Sequence, residues 1–200
     1  GDGEVTVYSE DLQHCIYKTT FSSLFHEWLE TPEAKNHKQG FEHTVLLPYP
    51  KEKVKIQVKL FNINKKVIAE LTQTFDPTDI LIRKKTTASN KYRYIIKNGS
   101  SHKCIDIAIL AEGYTQNEEA LFFQDAKKAT ESIFSHEPFQ SLQQHFNVVA
   151  VHSLSKESGV SVPNQKLWKE TAFLSHFDTF YSKRYLTTQK VQAIHDGLSG

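Results

Sequence analysis

Two hundred residues at 23.0 kDa, with 38% hydrophobic, 24% charged and 12% aromatic residues, have the composition of water-soluble globular domains, not of disordered or collagenous chains. Lys+Arg 24 against Asp+Glu 23 leaves a net charge of +1, with no cationic excess to neutralise phosphates, so nucleic acid is excluded as an expected partner. No apolar run approaches the roughly 18–20 residues of a membrane span.

Charge divides the chain: residues 1–103 hold 16 Lys+Arg and 12 Asp+Glu, whereas 104–200 hold 8 and 11. The first part reads as short β-type runs at Val5–Tyr8, Cys15–Thr20, Phe41–Leu47, Val54–Phe61, Val67–Phe75, Asp79–Lys85 and Tyr92–Ile96. Their spacing is that of sandwich strands, broken by Pro48, Pro50 and Pro77. Lys53 to Leu60 alternates strictly, with Val54, Ile56, Val58 and Leu60 on one face and lysines on the other, the pattern of a strand buried on one side. The lysine-rich stretch Lys51–Lys66 reads as a solvated face guarding against edge pairing, or as a polyanion-binding face. One helix interrupts the β pattern, capped by Ser22 or Ser23, striped by Leu24, Phe25, Trp28 and Leu29, and stopped at Thr31-Pro32.

After the turn-like Asn98-Gly99-Ser100-Ser101 the period changes. Ile105–Ala111 is nearly all apolar, as in a strand buried on both faces of an α/β sheet. Glu112-Gly113-Tyr114 makes a tight turn, and Thr115 with Glu118 forms a capping box for a helix through Phe122, Ala126, Ile133 and Phe134. A short helical piece follows from Glu137-Pro138-Phe139 to His145, and Phe146–His152 is a second strand, completing a βαβ unit. Ser153 to about Phe173 is a long irregular stretch, and a final helix runs from near Thr188 through Val191 and Ile194 toward Gly197. The reading is α+β, with an antiparallel β-sandwich over residues 1–101 and the first part of an α/β domain over 102–200.

The search for chemistry is mostly negative. No G-x-S-x-G elbow, Walker loop or G-x-G-x-x-G follows the strand at Ile105–Ala111. A zincin helix needs H-E-x-x-H, because two imidazoles four apart reach one metal while the glutamate polarises water. His26-Glu27-Trp28-Leu29-Glu30 and His136-Glu137-Pro138-Phe139-Gln140 both lack the second histidine. His43, His102, His152, His176 and His195 show no ligand spacing. Cys15 and Cys104, about ninety positions apart, fit one bridge or two buried free thiols. Among the carboxylates, Glu118 and Glu119 read as a first helical turn, and Asp106 and Glu112 lie at opposite ends of one strand. Glu112 lies where α/β sheets place their sites, in a functional or a turn role. Asp178 stands among aromatics in His176-Phe177-Asp178-Thr179-Phe180-Tyr181, as a cleft residue or as an anchor for a backbone N–H.

Taken together, Asp106 to Thr115, Phe134-Ser135-His136-Glu137-Pro138-Phe139, Phe146-Asn147-Val148, Glu157-Ser158-Gly159-Val160 and Thr171-Ala172-Phe173 through Tyr181 resemble the secreted bacterial zinc metallopeptidases of the IgA-peptidase family. Leu46-Leu47-Pro48-Tyr49-Pro50-Lys51 and Asp76-Pro77 resemble, more weakly, that family's N-terminal sandwich. The resemblance implies a zincin-like domain, peptide-bond hydrolysis by zinc-activated water with a glutamate base, and a protein or peptide substrate. It also implies a secreted or cell-envelope location, periplasmic or at the surface. In that family the metal-binding helix lies after the region of Ser199-Gly200, so no catalytic and no metal-ligating residue is carried onto this sequence. With no Met and a start at Gly1, the sequence is expected to be a processed or cut chain whose signal peptide would lie outside it. The stretch from Ser153 to Asp178 is expected to form part of a substrate-cleft rim, with Trp168 as an apolar contact and Asp178 as a second rim residue. The alternative is a non-catalytic cell-surface module recognising glycan or protein.

Overall fold

A computed structural model describes residues 1–83 and 90–199. The chain divides into two compact units, Gly1–Lys85 and Thr86–Gly200. Among the described residues, no helix is long and apolar enough to cross a membrane.

In the first unit, β1 (Gly3–Ser9), β2 (Cys15–Phe21), β3 (Val54–Phe61) and β4 (Val67–Phe75) form one antiparallel sheet in the order β2-β1-β3-β4. The alternation in β3 is realised in which residues share a face but not as one-sided burial: Val54 is buried, Ile56 and Val58 are half-buried like Lys55 and Lys59, and Leu60 is exposed. Val58 stands opposite Val5 of β1 and Leu71 of β4, and Ile56 opposite Val7, so one face is apolar. Lysines hold the other face, where Lys18 meets Glu4 at 3.0 Å and Lys59 meets Glu70 at 4.0 Å. Val5, Val7 and Val54 are buried, as is Trp28 of α1 (Phe25–Leu29). The Ser23 hydroxyl accepts the Phe25 N–H at 3.1 Å, while the Asp2 carboxylate accepts the Ser23 N–H at 2.8 Å. The expected serine therefore anchors the helix start, although the formal cap is Leu24.

The described residues of this unit hold one sheet, and two expected strands are absent from it. Phe41–Leu47 has no regular structure; its aromatic groups pack instead, Phe41 against Phe25 and Trp28, and His43 against Phe21. Asp79–Arg83 is turns, because Asp76 accepts the N–H and hydroxyl of Thr78, and Asp79 accepts the N–H of Leu81. Such side-chain bonds to nearby backbone compete with strand pairing. Lys84 and Lys85, the end of that expected strand, lie outside the described residues.

In the second unit, β5 (Lys91–Ile96), β6 (Ile105–Leu110) and β7 (Phe146–His152) form a sheet in the order β5-β7-β6. β6 and β7 are parallel, and α2 (Glu119–Phe134) with the short α3 (Phe139–Leu142) connects them, which is the expected βαβ unit. β5 is a correction. Assigned by sequence to the first part of the chain, it pairs antiparallel with β7, Tyr92 opposite Val151 and Tyr94 opposite Val149. β6 is another: it is an edge strand with Ile105, Asp106 and Ala108 exposed, and β7 is the central, buried one. α2 packs Phe122, Phe123 and Ala126 on Ala111 and Ala150, and Phe134 joins Phe146 and Val148. The last helix, α4 (Val191–Gly197), lies where expected.

Asn147 breaks the apolar run of β7 and is buried, yet each polar atom of its side chain is paired. Its carbonyl accepts the N–H of Asn98 at 2.8 Å and of Gly99 at 3.1 Å, and its amide donates to the Gly99 carbonyl and to Asp106 at 2.7 Å. That bond, with a second from Ser101, holds the Asp106 carboxyl below its ordinary value. One side chain thus ties the turn at 98–99 to the base of the sheet.

Candidate functional site

The carboxyl ends of β6 and β7 carry a second group of heavily bonded polar side chains. After β6 comes the turn at Glu112 and Gly113, and after β7 comes the segment from Ser153 onward. Open α/β sheets place their working loops at this end of the strands.

Glu112 takes the structural role that its position allowed. One carboxylate oxygen accepts the Thr171 hydroxyl at 2.6 Å and the Ser175 N–H at 2.8 Å, and the other accepts the Phe173 N–H at 2.9 Å. Ser155, which no motif marked, does the complementary work. Its buried hydroxyl oxygen accepts the N–H of Gly113 and of Ala172, both at 3.0 Å, and its own N–H donates to the Tyr114 carbonyl. Residues 171 to 175 are therefore pinned alternately by a carboxylate and a hydroxyl, with the side chains of Thr171, Phe173 and Ser175 buried. The only sequence signal for Ser155 is a small polar residue just after a buried strand.

Gly113 permits this arrangement. It has φ +77, a left-handed backbone that favours glycine, and a Cβ built on it would lie 2.1 Å from the Gly159 carbonyl oxygen. The Gly159 N–H in turn donates to the Gly113 carbonyl at 2.9 Å.

The capping pair ties the same loop to the helix. Glu118 accepts the Thr115 N–H at 2.8 Å and hydroxyl at 2.7 Å, and its second oxygen accepts the Ser158 hydroxyl at 2.7 Å. The Thr115 N–H bond, then those from Ser158 and Thr115, hold the Glu118 carboxyl below its ordinary value of 4.5. A depressed carboxyl pKa stabilises the fold above the unfolded value, and that contribution is lost as pH falls through the lower folded value. Glu118→Ala is thus expected to lower Tm at neutral pH and to match the unsubstituted protein at pH well below 4.5; thermal melts at several pH values measure this. A Tm difference unchanged into acid would contradict it.

The expected rim residues separate. Asp178 is an anchor: its carboxylate accepts the backbone N–H of Asn164 at 2.9 Å and its side-chain amide at 2.8 Å. It lines an open cleft of about 600 Å³ with Val162, Asn164, Gln165, Phe177 and Lys183. Trp168 is 67% exposed and does not line that cleft. Left-handed φ values at the non-glycine residues Lys166, Leu174, Asp178, Phe180 and Tyr181 concentrate in this stretch. Such backbone persists only where surrounding bonds over-determine it, and it clusters at functional segments.

The histidines form no ligand set. His152 is buried and packs on the rings of Phe122 and Phe123, with centroids 5.7 and 6.4 Å away. His136 bonds to its neighbour Ser135. The two thiols are free, Cys15 exposed and Cys104 half-buried, so neither is the fully buried thiol expected from residue type. Among the described residues, no three His, Cys, Asp or Glu side chains come together to hold a metal ion, so these residues do not fit a zinc site.

No curated protein matches the chain. The family described as IgA Peptidase M64 matches residues 94–197, and that described as Peptidase M64 N-terminus matches residues 1–72. The first match agrees with the resemblance carried by the short blocks between Asp106 and Tyr181 and the second with the weaker one at Leu46 to Lys51, and the peptidase match alone spans more than half of the 200 residues. The chain belongs to the IgA peptidase M64 family, a family of peptidases.

Proposed function

We propose that this chain serves a secreted or cell-envelope zinc endopeptidase as accessory portion and substrate-side scaffold, acting on proteins or peptides. The zinc of that enzyme is held by residues other than those described, which offer no donor set. The family matches support a two-part organisation, with an N-terminal portion and a peptidase portion, and in this reading the latter is zincin-like.

The observation that carries the scaffold role is the clamp of Glu112 and Ser155 on residues 171 to 175 at the strand ends. A peptidase must hold a flexible chain in one extended pose, and a rim fixed by buried hydrogen bonds loses little entropy when the substrate arrives. Asp178 and Asn164 line an open cleft, and Trp168, outside it, offers an exposed apolar surface to the polypeptide.

Trp168→Ala in the natural polypeptide tests the rim. Loss of one exposed aromatic contact is expected to lower kcat/KM on a protein substrate about tenfold, mainly through KM, with Tm unchanged. Unchanged kcat/KM removes Trp168 from the rim, and absence of peptide hydrolysis by the natural polypeptide overturns the enzyme reading itself.

A further inference from the structure

The first unit contains a cavity of about 230 Å³, room for a small molecule where one water takes about 30 Å³. Four phenylalanines line it: Phe21 at the end of β2, Phe25 on α1, Phe61 at the end of β3, and Phe41 from the stretch without regular structure. Phe41 meets Phe25 edge-on with centroids 6.2 Å apart, and His43 packs on Phe21 at 4.8 Å. The residues that leave the sheet at Phe41–Leu47 thus supply one wall of the cavity. Asp2 supplies its charge, for among the described residues no Lys or Arg lines the space. Burial pushes the Asp2 carboxyl up, but the N–H and hydroxyl of Ser23, with His26, outweigh that and hold it below its ordinary value of 3.8. Most of its accepting capacity is already used. One oxygen accepts the Ser23 N–H at 2.8 Å and hydroxyl at 3.1 Å, and the other lies 3.0 Å from Nδ1 of His26, which leaves about one of a carboxylate's roughly four acceptor positions.

We propose that this cavity binds a small organic cation of the quaternary ammonium class. Aromatic rings attract a cation through their quadrupole, and a carboxylate in the same wall adds to the attraction. Three kinds of occupant compete for such a space, and charge and donor count decide between them. An uncharged apolar molecule would strip water from the Asp2 carboxylate and offer no charge in return, which is costly. A primary ammonium would bring the charge but also three N–H donors, and walls of Phe, Leu60 and Ile68 with a nearly saturated carboxylate offer few acceptors. A quaternary nitrogen brings the charge and no donor. It alone leaves no polar group unpaired on either side.

Calorimetric titration of the natural polypeptide with choline tests this at about pH 8, where an ordinary imidazole is uncharged. Choline is expected to bind saturably at a single site. Its uncharged isostere 3,3-dimethylbutan-1-ol, with carbon in place of the quaternary nitrogen, is expected to bind about tenfold more weakly or worse. Asp2→Asn keeps an oxygen that can accept from Ser23 but removes the charge, and is expected to weaken choline about tenfold while leaving the isostere unchanged. Phe41→Leu keeps apolar bulk, removes one ring and leaves the bonds between Asp2 and Ser23 untouched. It is expected to weaken choline by about threefold to tenfold and the isostere less. Absence of saturable choline binding overturns the proposal, as does an isostere that binds as tightly as choline. A choline affinity that neither substitution lowers overturns it too, because the cation would then sit elsewhere.

Discussion

Glu112→Ala is expected to be among the most destabilising substitutions in the second unit, by on the order of 2–4 kcal/mol. It strands two backbone N–H groups, of Phe173 and Ser175, and the hydroxyl of Thr171, at residues whose side chains are buried. Each unsatisfied buried donor costs roughly 1–3 kcal/mol, and water entering the space left by the carboxylate recovers part of that. Glu112→Gln keeps one acceptor oxygen but turns an NH2 toward a donor, so it should fall between alanine and the native residue. Urea unfolding orders the three proteins, and hydrogen exchange locates the damage. Amides of Phe173 and Ser175 should lose protection while those inside α2 keep theirs. Equal protection at Phe173 and Ser175 in the native and Glu112→Ala proteins would show that the clamp does not hold the segment.

Gly113→Ala is the second large effect, for a different reason. The residue would have to keep φ +77 while its methyl sat 2.1 Å from a backbone oxygen that cannot move as a side chain does. Left-handed backbone costs roughly 1–2 kcal/mol for an L side chain, and overpacking against backbone adds about 1–3. A loss on the order of 3–4 kcal/mol follows. Gly159→Ala is the control: its φ is +90, but the added methyl meets nothing within 4 Å. Only the conformational cost applies there, about 1–2 kcal/mol. Comparable losses at the two glycines would mean that the close approach of 113 to 159 does not exist in the folded protein. Against a typical domain stability of about 5–15 kcal/mol, either of the larger substitutions removes a substantial share.

These effects arise where the sequence was only half legible. Local patterns read well: the alternation in β3, the stripe through Trp28, the capping pair Thr115 and Glu118, and the βαβ order. Partners read poorly, because strand propensity does not say what a strand pairs with. Tyr92–Ile96 follows the first unit in sequence, yet its hydrogen bonds go to Val148–His152, more than fifty residues on. The runs at Phe41–Leu47 and Asp79–Arg83 have strand-like composition, but aromatic packing in the one and Asp-centred turns in the other give those residues better partners. At the site, Glu112 stood out only by its place at a strand end. Ser155 had only its place just after a buried strand, since a buried serine accepting two N–H groups from Gly113 and Ala172 exists only once the fold has brought them together. Of the two roles open to Asp178, the structure shows the anchor, through the backbone N–H of Asn164.

Metal content and proteolysis of the natural polypeptide test the central claim most directly. The account predicts about one zinc per chain, hydrolysis of an unfolded protein substrate, loss of that activity on chelation and its return with added zinc. Hydrolysis that is indifferent to chelation, or a purified polypeptide that holds no zinc and cuts nothing, would contradict it.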